Sequence, residues 1–334
     1  MSVATTVALD EVEFDSRGDR TTLRRIIRNR AALGCGCLFL LIVALCLAAP
    51  LFSKYVAHTG PNDEHLTSMI GSGSHRRDVV SLTGIPVGPT WRSHFFLGAD
   101  PNGRDVFIRL LYGGRASLAV GFIAAAITIV VATLVGLAAG FFRGWVDVVI
   151  SRLLDLMWAY PVVLLAIAIG TVLAVSGISL GPVDIKSGSL LLPALIIGVV
   201  HIPYLARPIR GQVLAIRERE YIDAARLLGM RSTRIISDEV LPNLTSTLVV
   251  FAPLILANSI LLEAALSFLG VGVQPPNPSW GNMIGAGVNL ISRAPHQVLA
   301  PGLALVACVV GINGFGEGLR QALDPRGRLG LRTK

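Results

Sequence analysis

The side chains able to do chemistry are few and dispersed in this chain. Its three lysines, Lys54, Lys186 and Lys334, each follow a residue other than glycine. A phosphate-cradling loop needs Gly-Lys-Ser/Thr after a strand, so the polypeptide has no P-loop with which to bind ATP. The six histidines, His58, His65, His75, His94, His201 and His296, are scattered. Metal capture by the histidines of the outer loop is the one metal reading that those positions leave open. The patterns H-E-x-x-H, C-x-x-C and G-x-S-x-G are missing, and no nucleophile–base constellation is visible. Asp155, Glu263 and Glu317 stand toward the ends of apolar runs, where helix packing or an interfacial position is favoured. Glu263 is the exception: it lies about 7 Å inside the outer end of its run, deep enough to face a pathway. Asp105 and Arg109 are four residues apart, a spacing that supports a helical ion pair worth a few tenths of a kcal/mol when exposed. They mark an interfacial helix or, alternatively, an outer gate.

Charge is concentrated instead in one segment between apolar runs, EYIDAARLLGMRSTRIISDEVLPN, residues 220–243. Ile222, Ala225 and Gly229 share one helical face, with Tyr221, Ala224 and Leu228 adjoining it. Arg219, Asp223 and Arg226 form a charged series along the same helix. Gly229 can adopt a positive φ and end that helix. Ser232 or Thr233 can cap a second helix over Arg234–Val240, and Pro242 marks the return to the apolar run that follows. The expectation is helix, tight turn and shorter helix, with an apolar face that finds no partner in its own sequence. An amphipathic helix resting on lipid is the competing reading; a docking element for a cytoplasmic protein is the reading that the charge and the turn support.

The elements that must carry this segment are hydrophobic. Residues AVILMFWYC make up 53% of the chain and the mean hydropathy is +0.66. Runs near 31–52, 116–142, 157–176, 190–206, 247–268 and 298–316 are each about the ~20 residues that a helix needs to cross roughly 30 Å of hydrocarbon. They are continuous rather than alternating, which excludes a transmembrane β-barrel pattern. The expected fold class is therefore an all-α polytopic membrane protein with six transmembrane helices. Arg17, Arg20, Arg24, Arg25, Arg28 and Arg30 precede the first run, too long and charged a leader for a cleaved signal peptide. They hold the N-terminus in the cytoplasm, and with six spans the C-terminus is cytoplasmic too. The net charge of +8 then reads as orientation signal and lipid-headgroup attraction, with no nucleic-acid footprint. The division is a cytoplasmic tail (1–30), a first span (31–53), an extracytoplasmic segment (54–115), a five-span core (116–318) with a cytoplasmic loop at 207–246, and a C-terminal tail (319–334). Residues 1–30 are expected to be disordered or loosely helical. Pro161 and Pro193 fall inside spans as tolerated kinks, and Gly136-x-x-x-Gly140 and Gly311-x-x-Gly314 suggest close helix packing. Cys35, Cys37, Cys46 and Cys308 read as small buried hydrophobes. No repeat relates the two halves, so an inverted-repeat transporter has no support.

Asp223-Ala224-Ala225, Gly229 and Leu241-Pro242 resemble the EAA loop of bacterial ABC importer permeases, with Asp223 in place of the usual Glu and Glu239 where isoleucine is common. LGADPNGRDVFIRLLYGGRASLAVG, EAALSFLGVGVQPPNPSWGNMI and NGFGEGLRQALDPR are similar to segments of the dipeptide/oligopeptide/nickel permease family, specifically its C-type subunit. The resemblance covers roughly residues 30–328 and leaves the N-terminal tail and the loop near 65–92 outside it. It implies a type I ABC importer permease fold in the bacterial cytoplasmic membrane. In that family the loop couples to the ATPase, which here implicates Asp223, Ala224, Ala225, Arg226, Gly229, Leu241 and Pro242. The implied partners are a second, non-identical permease subunit, two cytoplasmic ATPase subunits that carry ATP and Mg, and an extracytoplasmic solute-binding protein. The chain itself is expected to bind no cofactor or metal and to be no enzyme. Peptides are the implied cargo, with nickel, an oligosaccharide or another small solute as alternatives. A proton-coupled secondary transporter working through Glu263 or Asp155, or a scaffold subunit without its own path, are the rivals.

Overall fold

A computed structural model describes residues 29–70, 76–91, 94–180, 183–186 and 188–323. The tail expected to be disordered falls on 1–28, outside the described residues. Helix α1 (Arg30–Leu47) starts at Asn29, whose side chain accepts from the Ala32 amide. A short α2 (Ala49–Phe52) and a π-helical turn, Ser53–Ala57, extend it to His58. The outer segment that follows is a small cap. Its two-residue strands β1 (Met69–Ile70) and β2 (Arg77–Asp78) pair antiparallel, and Val79, Phe95 and Ala99 form its own buried cluster.

Helix α3 (Val106–Phe142) is 37 residues long. At 1.5 Å per residue it spans about 55 Å, far more than the hydrocarbon needs. The expected approach over 106–115 is therefore not a separate interfacial helix: it is the first quarter of one continuous helix. Helices α4 (Gly144–Trp158) and α5 (Val162–Ser176) form a pair bent by 90°. Pro161 sits at this break, ahead of α5, rather than inside a span, because its ring cannot follow α4 without clashing with the preceding turn. After a hairpin of β3 (Ile178–Leu180) and β4 (Val183–Ile185) come α6 (Leu191–Val200) and α7 (Ile202–Arg217), bent by 42°. Pro193 lies in the first turn of α6, where its missing N–H costs nothing; the bend falls at His201, just before Pro203.

Helices α8 (Glu220–Leu227) and α9 (Ser232–Ile235) follow, and a π-helical turn, Ile236–Val240, joins α9 to α10 (Leu241–Phe268) without a break. Pro242 lacks the N–H that an α-helix would use, and the wider turn just before it absorbs that defect. Neither Ser232 nor Thr233 caps the second helix; its N-cap is Arg231, with no side-chain bond. Helix α11 (Trp280–Gly287), closed by a Ser279–Asn282 capping box, and α12 (His296–Leu323) complete the chain.

Among the described residues, α1, α3, the α9–α10 run and α12 are each long and apolar enough to cross a membrane, and each bent pair adds one span if it crosses. Helix α3 is the hub, packed on α7 and α10, while α1 lies along α12. A Cβ on Gly136 would meet Ile209 Cγ2 at 2.7 Å, and one on Gly140 would meet Val213 Cβ at 2.7 Å. The G-x-x-x-G pair thus sets how closely α3 and α7 approach. Gly311 and Gly314 do the same for α12 against Cys35 and Phe39 of α1. Cys46 and Cys308 are buried, whereas Cys37 is exposed, contrary to the reading of all four as buried.

Candidate functional site

The 220–243 segment folds as two short helices around one glycine. Gly229 takes φ +76°. Its N–H bonds to the Arg226 carbonyl at 3.0 Å, and the Met230 N–H reaches back to Ala225 at 3.1 Å. This pair of bonds is a Schellman ending, which satisfies carbonyls that the helix would otherwise leave open. The apolar face expected to lack a partner is divided. Ile222 is fully buried and Ala225 nearly so, in one cluster with Ile235, Val240, Leu244 and, from α7, Val213 and Ile216. Burying the Ile222 side chain alone stabilises this seat by about 1.5–3 kcal/mol. Leu227 and Leu228 turn outward instead, 89% and 83% exposed. Ala224, Gly229 and Pro242 are also exposed.

Polar bonds tie this pair of helices to the ends of the long ones. Arg217, the last residue of α7, donates to the Phe141 carbonyl at the end of α3 and lies over the Phe141 ring. Arg143 pairs with Glu218. Arg226 bonds Asp223 at 3.0 Å and also approaches the Phe141 ring. On the far side Asn243 donates to the Glu239 carbonyl at 2.6 Å and contacts the Tyr221 hydroxyl at 3.4 Å. Glu239 therefore contributes to this contact through its backbone carbonyl. Further along, Arg210 binds Asp147 through two nitrogens and Arg207 reaches Asp155 at 2.7 Å, which ties α4 to α7. The arrangement is an exposed apolar knob, Leu227 and Leu228, on a seat anchored to α3, α7 and α10.

Residues 132–329 match the family described as binding-protein-dependent transport system inner membrane component. The chain belongs to that family. Residues 20–66 of the permease match the N-terminal transmembrane domain of oligopeptide transport permease C. A dipeptide transport system permease protein, DppC, of Alkalihalophilus pseudofirmus is 42% identical over 233 residues, 70% of this chain and 72% of that one. A di/tripeptide transport system permease protein, DppC, of Pseudomonas aeruginosa is 37% identical over 302 residues, 89% of each chain. A glutathione transport system permease protein, GsiD, of Pectobacterium atrosepticum is 34% identical over 303 residues, 91% of this chain and 89% of that one. In fold, the permease is similar to the inward-facing MetNI methionine ABC transporter, with TM-score 0.52, 20% identity, and 65% of this chain and 96% of that chain covered. The permease therefore has the type I ABC importer fold and is a membrane protein.

The other singled-out residues lie away from this segment, three of them toward the opposite end of α3 and α10. Asp105 is the N-cap of α3: its carboxylate accepts from the amides of Phe107 at 2.8 Å and Ile108 at 3.2 Å, and from Phe95 of the outer cap at 2.8 Å. Burial pushes its carboxyl upward, against the three amide donors that favour the charged form. The expected Asp105–Arg109 ion pair does not form. Arg109 faces Asp100 at 3.6 Å and donates to the Pro61 carbonyl and to Asn62, because the Asp105 oxygens are occupied by backbone. Glu263 is fully buried. Ser267 donates to its Oε1 at 2.6 Å, and the hydroxyls of Ser117 and Ser279 flank it, so it joins α3, α10 and the start of α11 rather than lining an open path in this structure. Asp155 is occupied by Arg207, and Glu317 by Arg320 and Gln321. Among the described residues no three His, Cys, Asp or Glu side chains gather as a metal site. The sequence reading missed Leu227 as an outward residue. Two leucines directly before a helix-ending glycine are the available signal, but which leucines face out depends on where the core lies.

Proposed function

We propose that this chain is one half of the translocation pathway of an ATP-driven peptide importer, and that its α8–α9 pair is the site through which separate ATPase subunits drive it. The observation that carries this reading is the exposed Leu227–Leu228 knob on a seat continuous with the membrane helices. A helix resting on lipid would not need its buried Ile222 seat, the Arg217 bond to the end of α3 just before it, and the Tyr221–Asn243 contact with α10. Peptide cargo is supported by the relatives whose names are those of dipeptide and di/tripeptide permeases. Six spans follow if each bent helix pair crosses once, which puts both termini on one side; the arginines ahead of the first span support the cytoplasm as that side. Pathways of this kind need two permease chains, and a second, non-identical one is the partner we assign. Two ATPase subunits, holding ATP and Mg, dock on the cytoplasmic side, and a solute-binding protein delivers cargo outside.

In this reading ATP-driven closure of the ATPases shifts α8 and α9 as a rigid unit. Asp223, Ala224, Ala225, Arg226 and Gly229 belong to that unit, and Leu241 and Pro242 carry its movement into α10. Its displacement passes through Arg217 to α3 and through the unbroken α9–α10 run to the core, biasing one two-state rocking motion. Replacing Leu228 by Asp tests the docking. The complex is purified through a tag on this chain, and retained ATPase subunit and peptide uptake are both measured. Loss of the ATPase subunit with normal membrane insertion is the expected result. Full retention together with unchanged uptake rejects the assignment. Uptake that persists without ATP and collapses with an uncoupler marks a proton-coupled carrier instead.

A further inference from the structure

Both helix breaks of the core meet at one place. The α4–α5 break, at Trp158–Val162, and the α6–α7 break, at His201, open onto the middle of α10 and enclose a hollow of about 370 Å³. Asn258 lies about ten residues inside the outer end of α10, roughly 15 Å along its axis, which is half the hydrocarbon thickness. Broken helices that line a cavity at that depth are a recurrent way of building solute sites in transporters.

The polar groups there are incompletely satisfied within the chain, the Ile197 backbone being the one group set against the His201 ring among the described residues. His201 is 8% exposed, yet its Nδ1 has no hydrogen-bond partner among the described residues. Asn258 lines the same hollow, and no side-chain hydrogen bond of it is recorded among the described residues. For His201 a buried polar atom without a partner carries a substantial penalty, which something outside the chain can relieve, while the half-buried Asn258 has its carboxamide free to bond beside it. Beside them Trp158 and Tyr204 form a tilted ring pair with centroids 6.4 Å apart, and the Arg207 guanidinium lies 4.1 Å over Trp158 while bonding Asp155. The contrast with the larger hollow between α1, α3, α10 and α12, about 520 Å³, is plain: only apolar residues such as Phe39, Phe122 and Ile312 line it, which suits hydrocarbon.

We propose that the hollow where the two helix breaks meet α10 is this chain's contact site for the peptide in transit, with His201 and Asn258 hydrogen-bonding backbone amides and Trp158 and Tyr204 forming its wall. This assignment rests on the peptide-import reading above. Amide recognition by one imidazole and one carboxamide is independent of side-chain identity, and the flat aromatic and aliphatic wall, Leu261 included, tolerates many side chains. The volume fits one or two residues at a time, so the site reads a moving chain piecewise.

The test uses the complete importer in proteoliposomes, with receptor saturated by a labelled dipeptide or by the same peptide N-methylated at its amide. Receptor affinity for both peptides is measured separately, so uptake is compared at equal loading. The wild type is expected to move the N-methylated peptide roughly three- to tenfold more slowly, the size of one lost hydrogen bond. In Asn258→Ala and His201→Gln that discrimination should shrink toward unity, while receptor-stimulated ATP hydrolysis continues. A benzoylphenylalanine-bearing peptide should cross-link to fragments containing Trp158 or Tyr204 only during turnover. Unaltered discrimination in both variants, with adducts confined to other segments, overturns the assignment while leaving peptide import standing. A wild-type complex that hydrolyses ATP with loaded receptor but accumulates no peptide overturns the peptide reading, and this site with it.

Discussion

Gly229 and Asp105 show how one residue can hold two elements in register. At Gly229 a Cβ would meet nothing within 4 Å, so the demand is conformational and comes from φ +76° alone. A residue with a Cβ there is strained by about 1–2 kcal/mol, while Asn tolerates the same region. Gly229→Val is therefore expected to lower uptake with insertion intact, and Gly229→Asn to keep most of it; equal uptake by the two variants would contradict a conformational role. Asp105 holds three amides, one of them from the outer cap. Asp105→Ala should cost about 1–2 kcal/mol, the usual loss for an N-cap, and loosen residues 58–100. Asp105→Asn retains one acceptor oxygen and should lose less. Thermal unfolding in detergent, together with limited proteolysis of the outer cap, measures both. The sequence identified both residues, but it paired Asp105 with Arg109, because spacing along a helix cannot show that a capping carboxylate is already satisfied by backbone.

At the scale of elements, the contact between α3 and α7 decides whether movement of α8 reaches the membrane core. In a bilayer, helices associate through close packing rather than through exclusion of water. Gly136 sets that distance, since its added Cβ would also stand 2.9 Å from the Ala206 carbonyl oxygen, which cannot yield as a side chain can. Gly136→Leu should therefore destabilise the protein by about 1–3 kcal/mol or more, the range for overpacking, and Gly136→Ala by less. A graded loss of thermal stability in detergent is the expected outcome; an unchanged melting temperature for the leucine variant would show that the helices separate freely. The small-residue pattern was legible in the sequence. That its partner is α7, the helix leading into the 220–243 segment, was not, because a glycine motif names a face and not what lies against it.

For the whole molecule, the outer cap and the α8–α9 pair lie at opposite ends of the helices. Cysteines introduced one at a time at Ser81 and at Leu228, in a background with Cys35, Cys37, Cys46 and Cys308 replaced, give the topology test. A membrane-impermeant maleimide applied outside should label position 81 in intact cells and reach position 228 only after permeabilisation. Labelling of both from outside would overturn the two-sided arrangement. The exposed apolar faces of α1 and α5, such as Leu40, Leu41 and Leu164, are what lipid or a second subunit must cover.

Hydropathy alone determined that this is a membrane protein of long helices, because a continuous apolar run of this length has few other stable destinations. The residues of the 220–243 segment determined its two helices and its glycine turn, since both are local consequences of periodicity and of one permissive φ. Tertiary structure decided which face of that segment is seated and which is offered. Ile222 and Leu228 are equally apolar in sequence, and only the position of α3, α7 and α10 makes one of them core and the other surface. It also decided that Pro161 and His201 mark breaks meeting at a shared hollow, a convergence between residues distant in the chain that no local pattern encodes.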